Sequence, residues 1–330
     1  MPTLYITTQG ARVEKDYRRL IVVKDDECLY SIPIFRIDQI VFVGSVGITT
    51  PALQALLLNG TGLTLINKNG RVLGRLLPPT LKNIGLRQLQ YERGQDAAFC
   101  LSLSKQFIYG KLRNAAAMAA RMLRKRTDLD KDLLKRIHQA LRQVQKADSL
   151  DALRGIEGRA ARIYFLVFRQ CIQKDWQFES RTHHPPKSEV NSLLGLAYTL
   201  LHDNIITALE VVGLDPYEGY LHADKYGRPA LALDLMEEFR HVIADSVVLD
   251  LINRRILKPS DFECASQEYQ LKNHSLHKFF KAYQRRIQTE ILHPLYETRM
   301  SYQKCFEVQA RLLRKVIESE TEQYIPFIWR

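Results

Sequence analysis

A chain of 330 residues is longer than one hydrophobic core comfortably serves, and its 46% hydrophobic and 25% charged content is that of an ordinary globular protein. Lys and Arg outnumber Asp and Glu by 48 to 36, a net charge of +12 that favours a polyanionic partner. Cys28, Cys100, Cys171, Cys264 and Cys305 stand far apart with no Cys-x-x-Cys pair, which excludes a disulfide framework or a structural zinc site and fits a reducing cytoplasm.

The first residues lack a basic start followed by an apolar run, so no secretory signal is expected. Short apolar or β-branched runs at 4–7, 20–23, 28–32, 40–43, 63–66 and 72–77 read as strands. Turn signals part them at Gln9-Gly10, Lys24-Asp25-Asp26, Asn59-Gly60 and Asn67-Lys68-Asn69-Gly70, the last a hairpin whose Asn69-Gly70 supplies positive φ. The uncharged stretch 40–58 has the length of a membrane span. Its Gly44, Ser45, Gly47, Thr49, Thr50 and Pro51 make it instead a buried strand followed by a helix that starts at Thr50-Pro51. Pro78-Pro79 then breaks the pattern, giving a β-rich N-terminal domain over 1–80 and a linker over 81–95.

Residues 96–330 are helical in character. Apolar periodicity of helix length covers 97–126, 130–146, 151–174, 190–212, 231–257, 275–289 and 295–320. The fold class is therefore α+β and multidomain: a small β domain followed by a larger all-α one. Residues 111–146 carry 11 basic side chains against three acidic ones, with Arg121, Arg124, Lys125 and Arg126 the densest part. Such a stretch, with Lys278, Lys281, Arg285 and Arg286, suits contact with a phosphate backbone. His183-His184 beside Pro185-Pro186 reads as a loop.

The chemistry concentrates in two places. Glu157 lies between Gly155 and Gly158 in the first turns of a helix that continues almost entirely apolar and is expected to be buried. In the second, His222 ends a loop, and Asp234 and Glu237 follow 12 and 15 positions later. At 100° per residue Asp234, Glu237, Glu238, His241 and Asp245 share one helix face, with Leu235, Phe239, Val242 and Ile243 facing the core. Crowded carboxylates in a basic protein repel one another, and carboxylate oxygens with one imidazole suit Mg²⁺ or Mn²⁺. Lys225, Arg228 and Arg240 stand ready for phosphate, Arg240 being equally able to pair with Glu237. A metal-dependent enzyme acting on nucleic acid is the first reading; a DNA-binding scaffold without chemistry is the alternative.

Several motifs in order, Gly155-Ile156-Glu157-Gly158 leading to Tyr164-Phe165, the segment from Val190-Asn191 to Leu201, Gly213 through Tyr217 to His222, and Gly227-Arg228-Pro229 through Asp234 to Arg240, resemble the CRISPR-associated integrase family. Its members are the larger, catalytic protein of the spacer-acquisition complex. The resemblance, which extends over essentially the whole chain, implies a β-sandwich-like N-terminal domain for dimerisation and DNA contact, and an all-helical catalytic domain. It also implies a Mg²⁺ or Mn²⁺ site formed by Glu157, His222 and a carboxylate of the Asp234-Leu235-Met236-Glu237 element, with Glu237 favoured and Asp234 beside it. Tyr164, Asn191 and Tyr217 are weaker candidates for placing DNA. The implied partners are double-stranded DNA, a second copy of the chain and a small companion adaptation protein. The implied reaction joins the 3′-hydroxyl ends of captured DNA fragments into the CRISPR repeat.

Overall fold

The computed structural model describes residues 3–67, 70–78, 83–124, 130–182, 186–222, 226–265 and 268–329. The first part is strand-rich: β1 (Thr3–Ile6), β2 (Arg12–Asp16), β3 (Arg19–Lys24), β4 (Glu27–Pro33), β5 (Gln39–Val43), β6 (Gly47–Ile48), β7 (Gly62–Ile66) and β8 (Val72–Leu76), with helix α1 (Thr50–Leu58) between β6 and β7. Two four-stranded sheets result, in the orders β1-β5-β7-β8 and β4-β3-β2-β6. Asp25 and Asp26 both take positive φ in the two-residue turn from β3 to β4, the backbone that matches the twist of a hairpin. Gly70 likewise has φ +82° in the β7–β8 connection, while Asn69 lies outside the described residues.

Strand β5 explains how the two halves join. It pairs in parallel with β1 and β7 and is buried along its whole length. Its side chains alternate between two cores: Ile40 and Phe42 pack with Val13, Leu20, Ala52 and Leu56, whereas Val41 and Val43 join the large helical core. Polar contacts reinforce the seam. Asp203 accepts from Gln39 Nε2 at 2.7 Å and Thr64 Oγ1 at 3.2 Å, and lies 3.2 Å from Arg75 Nε.

The helical part comprises α2 (Ile84–Gly94), α3 (Ala97–Arg124), α4 (Asp132–Val144), α5 (Leu150–Gln170), α6 (Glu189–Val212), α7 (Ala230–Met236), α8 (Ser246–Asn253), α9 (Asn273–Gln288) and α10 (Tyr302–Ile317). Two small hairpins interrupt it, β9 (Phe262–Ala265) with β10 (Glu268–Leu271) and β11 (Glu290–Leu292) with β12 (Arg299–Ser301). Helix starts follow their caps: Asp96 Oδ1 accepts from Ala98 and Phe99 N–H, Ser149 Oγ from Ala152, and Ser188 Oγ from Asn191. Gly213, with φ +93°, ends α6.

Three expectations need correcting. Residues 84–94, read as linker, form α2. The span 231–257 is not one helix, because α7 ends at Met236 and a π-helical turn, His241–Asp245, precedes α8. Finally, the part over 96–330 is not all-α, since β9–β12 form two hairpins in it, and the shared face of Asp234, Glu237, Glu238, His241 and Asp245 is buried. Each has a polar partner, from other parts of the chain for Asp234, Glu237, Glu238 and Asp245 and from Asp245 for His241, so polarity did not report exposure. Among the described residues no helix is long and apolar enough to cross a membrane.

Candidate metal and nucleic-acid site

The loop joining α6 to α7 is folded around one carboxylate. Asp234 Oδ2 accepts from the N–H groups of Tyr220 (2.7 Å) and Leu221 (3.0 Å), and Oδ1 from that of His222 (3.0 Å). The same Oδ1 lies 2.6 Å from His222 Nδ1. A carboxylate already accepting three backbone N–H groups places the ring proton on Nδ1. Nε2 lies 4.0 Å from Glu237 Oε1. Gly219 is required here by close approach, since a Cβ would stand 2.6 Å from Ala230 Cβ and 2.8 Å from its carbonyl carbon. Helix α5 reaches the same loop: Arg154 Nε and Nη2 donate to Leu221 O at 3.1 and 2.6 Å, one turn before Glu157.

Glu237 follows the last turn of α7 and is 2% exposed on its side chain. Its Oε1 accepts from Arg240 Nη1 at 2.7 Å, and its Oε2 lies 2.6 Å from Lys111 Nζ, an ionic contact without hydrogen-bond geometry. Burial pushes this carboxyl up, but Arg240, Lys111 and His222 together outweigh burial and hold it well below the usual carboxylate range. Lys111 also donates to Glu157 Oε1. An ammonium from the buried middle of α3 thus bridges the two carboxylates named from the sequence. Sequence reading placed Lys111 in the phosphate-facing run, but it is 4% exposed and bonded inward; no local signal separated it from its ten basic neighbours.

A second polar chain runs on from Arg240, whose guanidinium carbon sits 4.5 Å from the centre of the Tyr198 ring. Tyr198 donates to Asp245 Oδ1 at 2.6 Å, and His241 Nδ1 meets Asp245 Oδ2 at 2.7 Å. The Tyr164 ring packs 4.0 Å from the imidazole of His241. Glu238 points the other way, accepting from Tyr324 Oη, Gln309 Nε2 and Phe327 N, and burial pushes its carboxyl up to about 8. It ties the 324–329 segment to the element that carries Glu237.

Among the other residues singled out from the sequence, Tyr164 is fully buried and belongs to the core, so it does not contact DNA directly. Asn191 is 2% exposed and used internally. Its Oδ1 accepts from Thr182 N and Arg181 Nη1, and its Nδ2 donates to Ser180 O and Ser188 Oγ. Tyr217 is 53% exposed, Arg121 and Arg124 are exposed, and Arg228 is half-buried. Lys125, Arg126 and Lys225 lie outside the described residues, as do His183 and His184.

Among the described residues no group of three or more His, Cys, Asp or Glu side chains closes on one point as a finished cage. The donors nevertheless fit a hard divalent cation. Two carboxylates are held together by Lys111, and an imidazole stands 4.0 Å from one of them. Oxygen donors and an imidazole are the ligand types such an ion takes.

The family model described as "CRISPR associated protein Cas1" matches residues 4–285. A "CRISPR-associated endonuclease Cas1 1" from Chlorobaculum tepidum is 37% identical over 99% of this chain and 98% of its own. A solved structure titled "Casposase bound to integration product" superposes with a TM-score of 0.88 at 23% identity, covering 100% of this chain and 95% of its own. A second, a "Cas6-RT-Cas1--Cas2 complex", has a TM-score of 0.83 at 22% identity over 99% of this chain and 36% of that one. The order of strands, helices and site motifs read from the sequence therefore has its explanation in descent: the chain belongs to the Cas1 family of CRISPR-associated proteins.

Proposed function

We propose that this protein is a divalent-metal-dependent DNA endonuclease and integrase of CRISPR adaptation, joining captured DNA fragments into the repeat. The observation that carries the reading is that Glu157 and Glu237 share one buried ammonium, that of Lys111, while His222 Nε2 stands 4.0 Å from Glu237 Oε1. Those three side chains would hold Mg²⁺ or Mn²⁺, and the metal when bound supplies Lewis-acid stabilisation of charge on the phosphate. Asp234 fixes the tautomer and aim of His222, as outer partners of metal-bound imidazoles do. Arg240, pinned between Glu237 and Tyr198, lends a fixed positive charge beside the reacting phosphate.

The reaction is a transesterification. The 3′-hydroxyl oxygen of the fragment forms a P–O bond to the repeat strand, one P–O bond of that strand breaks, and its oxygen leaves as a 3′-hydroxyl after taking up a proton. With water as attacker the same site acts as an endonuclease. Arg121, Arg124 and Arg228, with Lys125, Arg126 and Lys225, would follow the duplex backbone, and Tyr217 would place a strand by stacking. The division into an N-terminal domain over 1–80, serving dimerisation, and a catalytic domain over 96–330 belongs to the same reading. So does assembly as a homodimer with a small companion protein; the similar structure named above is by its title a complex with Cas2.

The test is an integration assay with a short duplex bearing free 3′-hydroxyls and a supercoiled plasmid carrying the repeat, with and without the companion. Wild type is expected to form joined product in Mn²⁺ or Mg²⁺ and none in EDTA. Glu157→Ala and His222→Ala should each lose at least 100-fold while still binding DNA. Variants that join DNA as well as wild type would remove the proposed site. DNA binding without joining under any condition would favour the scaffold.

A further inference from the structure

Resting on the metal-site reading above, we propose that Lys111 is a resident stand-in for the metal: it clamps Glu157 to Glu237 while the metal is absent, competes with it for their oxygens, and is displaced by it. Glu157 comes from α5 and Glu237 from the turn after α7, while Lys111 rises from the middle of α3 between buried Gly110 and Leu112. Without a cation between them, buried Glu237 and the partly exposed Glu157 would repel one another. Lys111 is 4% exposed, and its ammonium contacts both, donating to Glu157 Oε1 and meeting Glu237 Oε2 at 2.6 Å. A divalent ion bound by those oxygens and by His222 Nε2 would claim the same contacts, so ammonium and metal exclude one another.

Charge accounting gives the exchange a use. Glu157 and Glu237 are matched by Lys111 and Arg240, which leaves this quartet neutral before the metal arrives. Metal entry adds two positive charges and frees the ammonium of a flexible four-carbon stem beside the place where a phosphodiester must lie. Anionic DNA would offer the displaced ammonium a new partner, so metal and DNA should favour each other's binding. The metal-free site then stays assembled yet holds metal weakly until nucleic acid is present.

Mn²⁺ affinity, followed by the electron paramagnetic resonance signal of free Mn²⁺, decides the matter without reference to catalysis. Lys111→Met removes charge and donors, whereas Lys111→Gln keeps a neutral donor; circular dichroism melts in EDTA establish that each variant folds. Wild type is expected to bind Mn²⁺ weakly without DNA, and whichever variants fold should bind at least tenfold more tightly. Unchanged or weaker affinity in the folded variants, beside measurable binding by wild type, would overturn the role of Lys111 alone. No binding by wild type or variants would remove the metal site and this inference with it.

Discussion

His202 on α6 is kept neutral by its surroundings. Burial chiefly, with Arg75, Arg228 and Arg240 nearby, pushes its imidazole down to about 4 against an ordinary 6.5, and its Nε2 is buried without a partner among the described residues. The unfolded chain takes up this proton below about pH 6.5, the folded one only near pH 4. Stability from this group is therefore full above pH 6.5 and lost as pH falls through that window, by up to about 3 kcal/mol. His202→Gln should flatten the acid limb of a stability–pH curve between about 6.5 and 4; parallel curves would show that other groups govern it. At this scale the motifs singled out Glu157, His222 and Glu237, and the structure brings the two carboxylates onto one ammonium with His222 beside Glu237. The sequence was silent on Lys111, whose meaning depends on which way a side chain points from a long basic helix.

The loop before α7 is the element that sets the imidazole, and its tolerance is narrow. A methyl group at position 219 would run into backbone of Ala230 and Leu231 at 2.8 and 3.0 Å, atoms that cannot step aside as a flexible side chain would. Gly219→Ala should therefore cost about 1–3 kcal/mol in urea-melt stability and lower Mn²⁺ affinity together, because the loop that shifts also carries His222. A stable variant with unchanged Mn²⁺ affinity would show that the loop can rearrange freely. Helices α3, α5 and α6 lie close to their apolar periods, and the structure caps them with Asp96, Ser149 and Ser188. The break between α7 and α8 was not readable. Apolar spacing continues through it, while the π-helical turn, with Asp245 N–H bonded to Arg240 O at 3.1 Å, answers to Tyr198 and Tyr164 on other helices.

Across the molecule, the β-rich part and the helical part are bound by more than shared apolar surface. Asp203 is 2% exposed, and burial raises its carboxyl while Arg75, Thr64 and Gln39 oppose that rise. Arg75 further donates to Glu210 and Thr207 of the same helix. Arg75→Ala would leave that carboxylate without its cation and should destabilise the protein by roughly 3 kcal/mol, read as a lower melting temperature for the whole chain. Two separated transitions in the variant, with only the first shifted, would mean that the halves fold independently. The β-then-α order was legible from strand-length and helix-length periods, but this seam was not, since its members lie more than 120 positions apart from Thr64 and Arg75 to Asp203. The same seam limits how such proteins can be recombined. A chimera that takes residues 3–78 from one relative and the remainder from another would carry the whole Lys111–Glu157–His222–Glu237 constellation from a single parent. It would still inherit a mismatched joint unless the donor brought equivalents of Gln39, Thr64 and Arg75 to meet Asp203.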